Sequence, residues 1–299
     1  MKKHALFILI PIVITGCSYM GEKEAQSIPQ KEECAFDFKL EQGRIVIYAK
    51  INDMDSLRFM LDNGASTTMF DSTFWQSFKQ QNTPHFIQKS GNYDYYYCPT
   101  TISLSDYCYS IDTIYVASEK YSQNYFSSLS LKGMIGVELF NKSIVGIDFE
   151  NQKIFICEHL PENIQDYQKY DMIFSHKQGD PYYHKFRFLT IDGLYDKNGE
   201  PVSSNFLIDL GSITNNIDYP FCDKIDIAKS KSMVNDTASI IYSLLNQCPM
   251  IESVYMDTFA DTVHVDNFKN GVIGIDFLRH YNVIFDYPHN KLYLKPNGK

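Results

Sequence analysis

Residues 133–140 read GMIGVELF, and residues 271–278 read GVIGIDFL. The two stretches begin 138 residues apart (271 minus 133), and at this offset the similarity continues without a gap as far as residues 156 and 294. Residues of the first copy that are identical to their partners in the second include Gly133, Ile135, Gly136, Val145, Asp148 and Lys153. Chance is a poor explanation for such a match, so the chain is predicted to contain two copies of one unit.

Each copy follows an apolar run that ends in Asp-x-Gly and a small residue. The run is RFMLDNGAS at residues 58–66 in the first half and NFLIDLGS at residues 205–212 in the second. From this Asp to the Gly of the repeated block there are 74 residues in the first half (136 minus 62) and 65 in the second (274 minus 209). The two halves therefore share one order of elements, with insertions of different length.

The duplication predicts two homologous lobes, at residues 36–160 and 179–299, joined by an interlobe linker at residues 161–178. Residues 17–35 are polar and contain Gly, Pro and alternating Glu and Lys without an apolar period. Such a segment is predicted to be a flexible tether that precedes the folded part.

The start of the chain has the features of a secretory signal. Residues 1–16 have a basic start and an apolar run too short to span a bilayer, and they lead into Cys17. This pattern resembles the lipobox of bacterial lipoproteins, which implies cleavage before Cys17 and diacylation of its thiol. The protein is then expected in the bacterial cell envelope, outside the cytoplasm, with the lipid as its only membrane contact. The alternative is an ordinary signal peptide that contains a cysteine.

The composition favours strands over helices. Aromatic residues make up 15% of the chain, with 22 Tyr and 21 Phe, and such rings suit a half-buried pleated surface. Hairpins are predicted at residues 44–61 and 185–208. A short helix capped by Asp71 is predicted to contain Phe74, Trp75 and Phe78. The predicted fold class is therefore mainly β, with few short helices.

In these features the sequence resembles the aspartic peptidases, in the retropepsin-like and pepsin-like superfamily, and most of all its two-lobed lipoproteins from bacterial envelopes. In that superfamily each β-barrel-like lobe contributes one Asp from an Asp-Thr/Ser-Gly loop, supported by a hydrophobic-hydrophobic-Gly strand. The matching residues are Asp62 with Gly136 in the first half and Asp209 with Gly274 in the second. The resemblance implies a bilobed acid-protease fold and a monomer that cleaves peptide bonds with Asp62 and Asp209, without a metal ion or other cofactor.

The chemistry of such a site depends on two adjacent carboxylates. Held about 3 Å apart, they cannot both ionise, so they share one proton. One acts as general base on a water molecule, while the other donates to the scissile carbonyl of a peptide or protein substrate. The loops around the pair are predicted to consist of Asn63, Gly64, Ala65, Leu210, Gly211 and Ser212. The glycines are expected to let each loop turn sharply so that backbone N–H groups reach the carboxylates, and Ser212 is placed to hydrogen-bond Asp209.

The residue after each Asp departs from the Thr or Ser that the resemblance implies. It is Asn63 in the first half and Leu210 in the second, and only the Asn side chain can form hydrogen bonds. These positions motivate a second hypothesis, a catalytically weak or inactive lipoprotein whose cleft binds peptides or a protein partner. A third hypothesis is a structural envelope protein with a collapsed cleft. Taken singly, each Asp also has the alternative of capping a turn.

A flap over the substrate is expected after the first Asp motif. The best candidate is the turn KSGN at residues 89–92, followed by YDYYY at residues 93–97, whose rings suit an extended peptide bound by strand addition. The alternative is that residues 93–97 form an amphipathic edge strand with no ligand.

Other classes of function and chemistry find little support. The formal net charge of -9, from 27 basic and 36 acidic residues, provides no basic patch, so no nucleic-acid partner is expected. No serine-hydrolase, zinc-protease or nucleotide-binding motif occurs, and no metal site is predicted. Among the cysteines after Cys17, Cys98 and Cys108 are the best placed for a disulfide, whereas buried free thiols are expected for most of them.

Overall fold

The computed structural model of the protein describes residues 33–91, 93–173, 186–217, 224–226 and 271–298. The predicted signal sequence, Cys17 and the tether as far as residue 32 lie outside the described residues. Within the described part of the chain, no helix combines the length and the apolar character needed to cross a membrane.

The first half of the chain consists mainly of strands. They are β1 (Glu33–Asp37), β2 (Lys39–Glu41), β3 (Arg44–Ile51), β4 (Met54–Leu61), β5 (Met69–Phe70), β6 (His85–Ser90), β7 (Tyr93–Leu104), β8 (Tyr107–Ala117), β9 (Gly133–Ile135), β10 (Ile144–Asp148) and β11 (Lys153–Cys157). The helices are α1 (Ser72–Gln81), α2 (Glu119–Tyr125) and α3 (Glu138–Lys142), with 3₁₀ turns at Ser127–Leu129 and Ile164–Asp166. The predicted helix is confirmed, and the Asp71 side chain caps it by accepting a hydrogen bond from the Phe74 N–H.

The described part of the second half has the same character. Its strands are β12 (Gln168–Ile173), β13 (Phe188–Tyr195), β14 (Pro201–Ile208), β15 (Asn216–Ile217), β16 (Gly271–Ile273), β17 (Tyr281–Asp286) and β18 (Lys291–Pro296). A short helix, α4 (Ile275–Leu278), and a 3₁₀ turn at Tyr287–His289 complete it.

The strands form two sheets. The first has eight strands in the order β2-β3-β4-β9-β5-β8-β7-β6, and a further pairing of β3 with β7 curls it into a barrel-like form. The second has ten strands in the order β1-β11-β10-β17-β18-β12-β13-β14-β16-β15. Side chains that alternate along the strands face a continuous apolar core, in which Phe70 packs edge to face on both Phe74 and Phe78 at 5.0 Å. The fold is mainly β, as predicted, with its strands arranged in two sheets.

Two segments that were predicted to be connections are strands. β12 lies within the predicted linker 161–178 and pairs with both β18 and β13. β1 begins at Glu33, three residues before the predicted start of the first lobe, and pairs with β11. Both strands are short, and few of their side chains are buried, for example Cys34 in β1 and Met172 in β12. They therefore lack the long apolar pattern by which a strand is predicted.

The pairing of β10 with β17 displays the duplication in three dimensions. Gly146 lies opposite Ile284, which is 138 residues further along the chain (284 minus 146) and is therefore its equivalent in the second copy. An antiparallel pair in which a residue faces its own equivalent is related by a local two-fold rotation, as at an isologous interface. The repeated block thus joins the two halves of the chain directly.

The described cysteines do not form the suggested pair. β7 and β8 make a hairpin in which Cys108 lies opposite Ser103, so Cys98 is five residues away along β7, or about 17 Å. Disulfides require Cα atoms within about 7 Å, so Cys98 and Cys108 are not bonded to each other. Cys34 and Cys157 are buried, whereas Cys222 and Cys248 lie outside the described residues.

Candidate active site

Asp62 and Asp209 follow directly after equivalent strands of the two halves. β4 runs parallel to β9 and ends at Leu61, while β14 runs parallel to β16 and ends at Ile208. The N–H of Asp62 then donates to the carbonyl of Ile135 at 2.9 Å, and the N–H of Asp209 donates to the carbonyl of Ile273 at 2.9 Å. The hydrophobic-hydrophobic-Gly strands therefore fix the backbone at each Asp.

The structure brings the two carboxyl groups together. The Asp62 and Asp209 side chains form a hydrogen bond with each other, and only 5% of Asp62 and 3% of Asp209 is exposed. Two ionised carboxylates in such contact would repel each other, so a proton is needed between them. Burial is the largest cause that raises the pKa of Asp62 well above its ordinary value, followed by the charge of Asp209 and the hydrogen bond to it.

Backbone N–H groups hold one oxygen of each carboxyl group. Oδ1 of Asp62 accepts from the N–H of Gly64 at 2.9 Å and from the N–H of Ala65 at 3.0 Å. Oδ1 of Asp209 accepts from the N–H of Gly211 at 2.7 Å. Hydrogen bonds to Gly64 and Ala65 stabilise the charged form and lower the pKa of Asp62, which partly opposes the effect of burial.

Gly64 and Gly211 are needed for close approach rather than for a sharp turn. The expected N–H contacts to the carboxyl groups are present, but neither glycine has a positive φ, so the turn itself does not require glycine. A β-carbon on Gly64 would lie 2.3 Å from Oδ1 of Asp209, and one on Gly211 would lie 2.3 Å from Cγ of Asp62. Each glycine therefore leaves the space that the opposite carboxyl group occupies.

The side chain of Asn63 connects the loops that carry Asp62 and Asp209, whereas the side chain of Leu210 does not. The Asn63 amide donates to the carbonyl of Ile208 at 2.8 Å and accepts from the N–H of Leu210 at 2.7 Å. One Asn side chain thus contacts the backbone on both sides of Asp209. The Leu210 side chain lies in the main apolar core, so the hydrogen bonds across the loops come from the first half.

The remaining amide hydrogen of Asn63 is directed at a residue that the sequence did not single out. Nδ2 of Asn63 donates to the hydroxyl of Tyr287 at 2.7 Å. Tyr287 follows β17 in the second half and is fully buried. It is the repeat equivalent of Phe149 (149 plus 138), but nothing in the sequence indicates that it contacts residue 63.

Gly136 and Gly274 each donate a backbone hydrogen bond to a residue that follows the Asp loop of the same half. The Gly136 N–H donates to Oγ1 of Thr68 at 3.2 Å, and the Gly274 N–H donates to Oδ1 of Asn215 at 2.8 Å. Thr68 and Asn215 each lie six residues after the Asp of their half (68 minus 62, and 215 minus 209). Extending the alignment of the two Asp-x-Gly motifs would have identified both residues.

Ala65 and Ser212 occupy equivalent positions with different side chains. The carbonyl of Ala65 accepts from the Val137 N–H at 3.0 Å, and that of Ser212 accepts from the Ile275 N–H at 2.9 Å. The Ser212 hydroxyl donates to the carbonyl of Thr214 at 2.8 Å. Its single hydrogen is therefore used within its own loop, and not in the expected bond to Asp209.

The chain is similar to the crystal structure of the aspartic proteinase from Irpex lacteus. The TM-score is 0.49 and the sequence identity 10%, and the similarity covers 89% of this chain and 98% of the other. No protein-family model matches the chain, and no curated protein matches it.

The predicted flap region is a hairpin next to the dyad. Residues 93–97 lie in β7, which pairs with β6 on one side and β8 on the other, so the alternative of an edge strand was wrong. Near the hairpin turn, Tyr93 packs on Tyr121 of α2 with ring centroids 5.2 Å apart. Burial raises the pKa of Tyr121, as do the nearby tyrosines and Asp62. A tyrosine cluster thus lies between the hairpin and the dyad.

Further along β7, Tyr96 connects the hairpin to α1. Its ring lies 4.5 Å from that of Trp75. Burial raises the pKa of the Tyr96 hydroxyl, as does Asp94, and the nearby Trp75 side chain partly lowers it. A cavity of about 560 Å³ lies beside this contact, between α1, β6, β7 and the start of α2. Within the described residues there is no group of three or more His, Cys, Asp or Glu side chains suited to hold a metal ion.

Proposed function

We propose that the protein is an aspartic-type endopeptidase that hydrolyses peptide bonds with the pair Asp62 and Asp209. The observation that carries the proposal is the hydrogen bond between these two buried side chains, on equivalent loops of the two halves. If each Asp only capped a turn, the two side chains would have no reason to contact each other. Burial of two carboxyl groups costs free energy, so their contact favours a site in which the pair has a function.

The geometry supports a mechanism in which the two carboxyl groups act together. The raised pKa of Asp62 favours a state in which the pair holds one shared proton. The ionised member takes a proton from a water molecule, and that water attacks the scissile carbonyl carbon. The protonated member donates to the carbonyl oxygen, which gives a neutral gem-diol, and proton transfer to the amine then breaks the C–N bond. Because the pair titrates as a unit, neither Asp is assigned as the base.

The cross-loop bonds of Asn63 favour catalysis over the alternative of a peptide-binding protein without turnover. That alternative was motivated by the loss of Thr or Ser at positions 63 and 210. The Asn63 amide bonds to both Ile208 and Leu210, so the loop that carries Asp209 is held from both sides of the Asp. Rigid placement of this kind is what the chemistry needs, since a displacement of about 1 Å can cost about a hundredfold in rate.

The test is cleavage of a peptide library by the full chain in mild detergent, from pH 3 to 8, with mass-spectrometric detection. D62N and D209N are the matched variants, because each replaces a carboxyl group by an amide of the same shape. We expect internal cleavage by the wild type and at least about a thousandfold less by either variant. Binding of peptides without cleavage would favour the alternative, and cleavage equal in all three proteins would exclude the dyad.

We further propose that the protein is anchored to the bacterial envelope by lipid on Cys17, and that it works as a monomer. Both carboxyl groups come from one chain, so a second copy is not needed for the dyad. Metabolic labelling with an alkyne fatty acid tests the anchor: label on the wild type and none on C17A is the expected result.

A further inference from the structure

Asn63 uses all the donors of its side-chain amide. One N–H of Nδ2 binds the carbonyl of Ile208 at 2.8 Å, the other binds the hydroxyl of Tyr287 at 2.7 Å, and Oδ1 accepts from Leu210 at 2.7 Å. Asn63 is fully buried, so no water replaces a partner that is lost. A rotated amide would set Nδ2 against the Leu210 N–H and Oδ1 against the Ile208 carbonyl. The Ile208 carbonyl and the Leu210 N–H therefore select one orientation of the amide, and in that orientation the Tyr287 hydroxyl accepts the second Nδ2 hydrogen.

Tyr287 is itself held in place from several sides. Its ring packs on Phe140 of the first half, at 5.7 Å, and on Phe285 of the second, at 6.0 Å. The guanidinium carbon of Arg187 lies 5.4 Å from the ring centroid, and Nε of Arg187 donates to Oδ1 of Asn290 at 2.6 Å. Burial raises the pKa of Tyr287 above its ordinary value. The hydroxyl is thus a fixed, neutral group.

The residues related to Asn63 and Tyr287 by the internal repeat are both apolar. The counterpart of Asn63 is Leu210, and the counterpart of Tyr287 is Phe149. Both side chains are buried in the main core. The Asn63 amide is thus matched by the Tyr287 hydroxyl, whereas Leu210 has no amide and Phe149 has no hydroxyl. The two departures from internal symmetry therefore match each other.

We propose that Tyr287 is a positioning residue for the dyad: its hydroxyl fixes the Asn63 amide, which holds the Asp209 loop against the Asp62 loop. The inference rests on the proposed peptidase function and adds to it. It accounts for an Asn at position 63, since a Thr or Ser there has a single donor, which the Ile208 carbonyl would use, and needs no third partner.

The test compares Y287F in two backgrounds of the full chain, with Asn at position 63 and with the variant N63T. N63S serves as a second background if N63T does not fold. Y287F keeps the ring and its packing, and it leaves one buried Asn63 N–H without an acceptor. The control is Y293F, which removes a hydroxyl from a buried tyrosine of β18 that lies in an apolar cluster with Ile284 of the neighbouring β17 and Ile144 of β10.

In the natural background we expect Y287F to lower kcat about tenfold, with KM within about twofold. The basic limb of the pH profile moves to lower pH, because a wider separation of Asp62 and Asp209 weakens their coupling. Among the described residues, Tyr121 interacts with Asp62 and Arg187 with Tyr287, and both are unchanged in these variants. With N63T, Y287F should change neither kcat nor the pH profile, and Y293F should change neither in any background.

An equal loss of kcat in both backgrounds, or no loss in either, would overturn the proposal. Thermal unfolding separates this outcome from failure of the peptidase function, because it needs no substrate. We expect Y287F to lower the Tm by about 3 °C in the natural background and not with N63T. Equal decreases would overturn the positioning role even in a chain that cleaves nothing. The expected difference would support that role whatever the activity.

Discussion

Gly64 and Asp209 lie so close that a β-carbon on the glycine would come within 2.3 Å of the carboxyl oxygen Oδ1. Gly211 stands in the same relation to Asp62, with 2.3 Å to its Cγ. The two Asp-x-Gly loops therefore interlock, and each glycine makes room for the carboxyl group of the other half. No side chain fits at either position unless the dyad moves.

Alanine at either glycine should separate the dyad. We expect G64A and G211A each to lower kcat/KM at least about a hundredfold, because the methyl group displaces the opposite carboxyl group. The strain should lower the free energy of unfolding by about 1 to 3 kcal/mol, as measured by urea denaturation. G298A is the control, since a β-carbon on Gly298 would meet no atom closer than 3.7 Å. Full activity in G64A would contradict the close contact.

The shared proton makes stability depend on pH. The native pKa of Asp62 is raised above its ordinary value of 3.8, so the native state binds more protons than the unfolded state in the range between the two. The contribution of Asp62 to stability is thus fully present below its unfolded pKa and is lost as pH rises through the native pKa. D62N cannot titrate at this position.

We therefore expect the free energy of unfolding of the wild type to fall relative to that of D62N as pH rises from 4 to 8. Urea denaturation of both proteins across this range, at constant ionic strength, measures the difference. A difference that stays constant, or that moves in favour of the wild type as pH rises, would show that Asp62 is not held in its protonated form.

The contact between Asn215 and Gly274 provides a test of the internal symmetry. N215A removes the acceptor of the buried Gly274 N–H, which should cost about 1 to 3 kcal/mol in stability. N215T should recover a large part of this loss, because Thr occupies the equivalent position 68 in the first half and accepts from Gly136 there. Thermal unfolding compares the three proteins. Equal destabilisation by both variants would show that the two supports are not interchangeable.

The contact between Tyr96 and Trp75 tests whether the hairpin of β6 and β7 acts as a flap. Y96F removes the hydroxyl that interacts with the Trp75 side chain, a loss of about 1 kcal/mol, so kcat/KM should fall about fivefold. The control is Y97F, because Tyr97 is the next residue along the strand, points to the other face and is 45% exposed. Equal effects of Y96F and Y97F on peptide cleavage would argue against a flap that is positioned from α1.

The repetition of short motifs was sufficient to predict the main features of the fold and the two central residues. Asp62 and Asp209 stand at matched points of a repeated order, and strands that end at matched points come together in a duplicated fold. The strands β1 and β12 were missed because each buries few side chains, so their pairing depends on partners far away in the sequence.

The contact of Asn63 with Tyr287 could not be predicted for a related reason. The two residues are 224 positions apart, and each has an ordinary local explanation, as a loop residue and as a core aromatic. The roles of Gly64 and Gly211 were likewise misjudged, because the sequence shows that a glycine is present and not what lies opposite it. Contacts of this kind are set by how the two halves pack, which the local pattern does not contain.

The central claim is that Asp62 and Asp209 act as one catalytic unit, and the direct measurement is kcat/KM on one cleaved peptide for the wild type, D62N, D209N and the double variant. We predict that each single variant loses at least about a thousandfold and that the double variant loses no more than the worse single one, because half of a dyad does not work. Losses that multiply, or a single variant that keeps most of the activity, would contradict it.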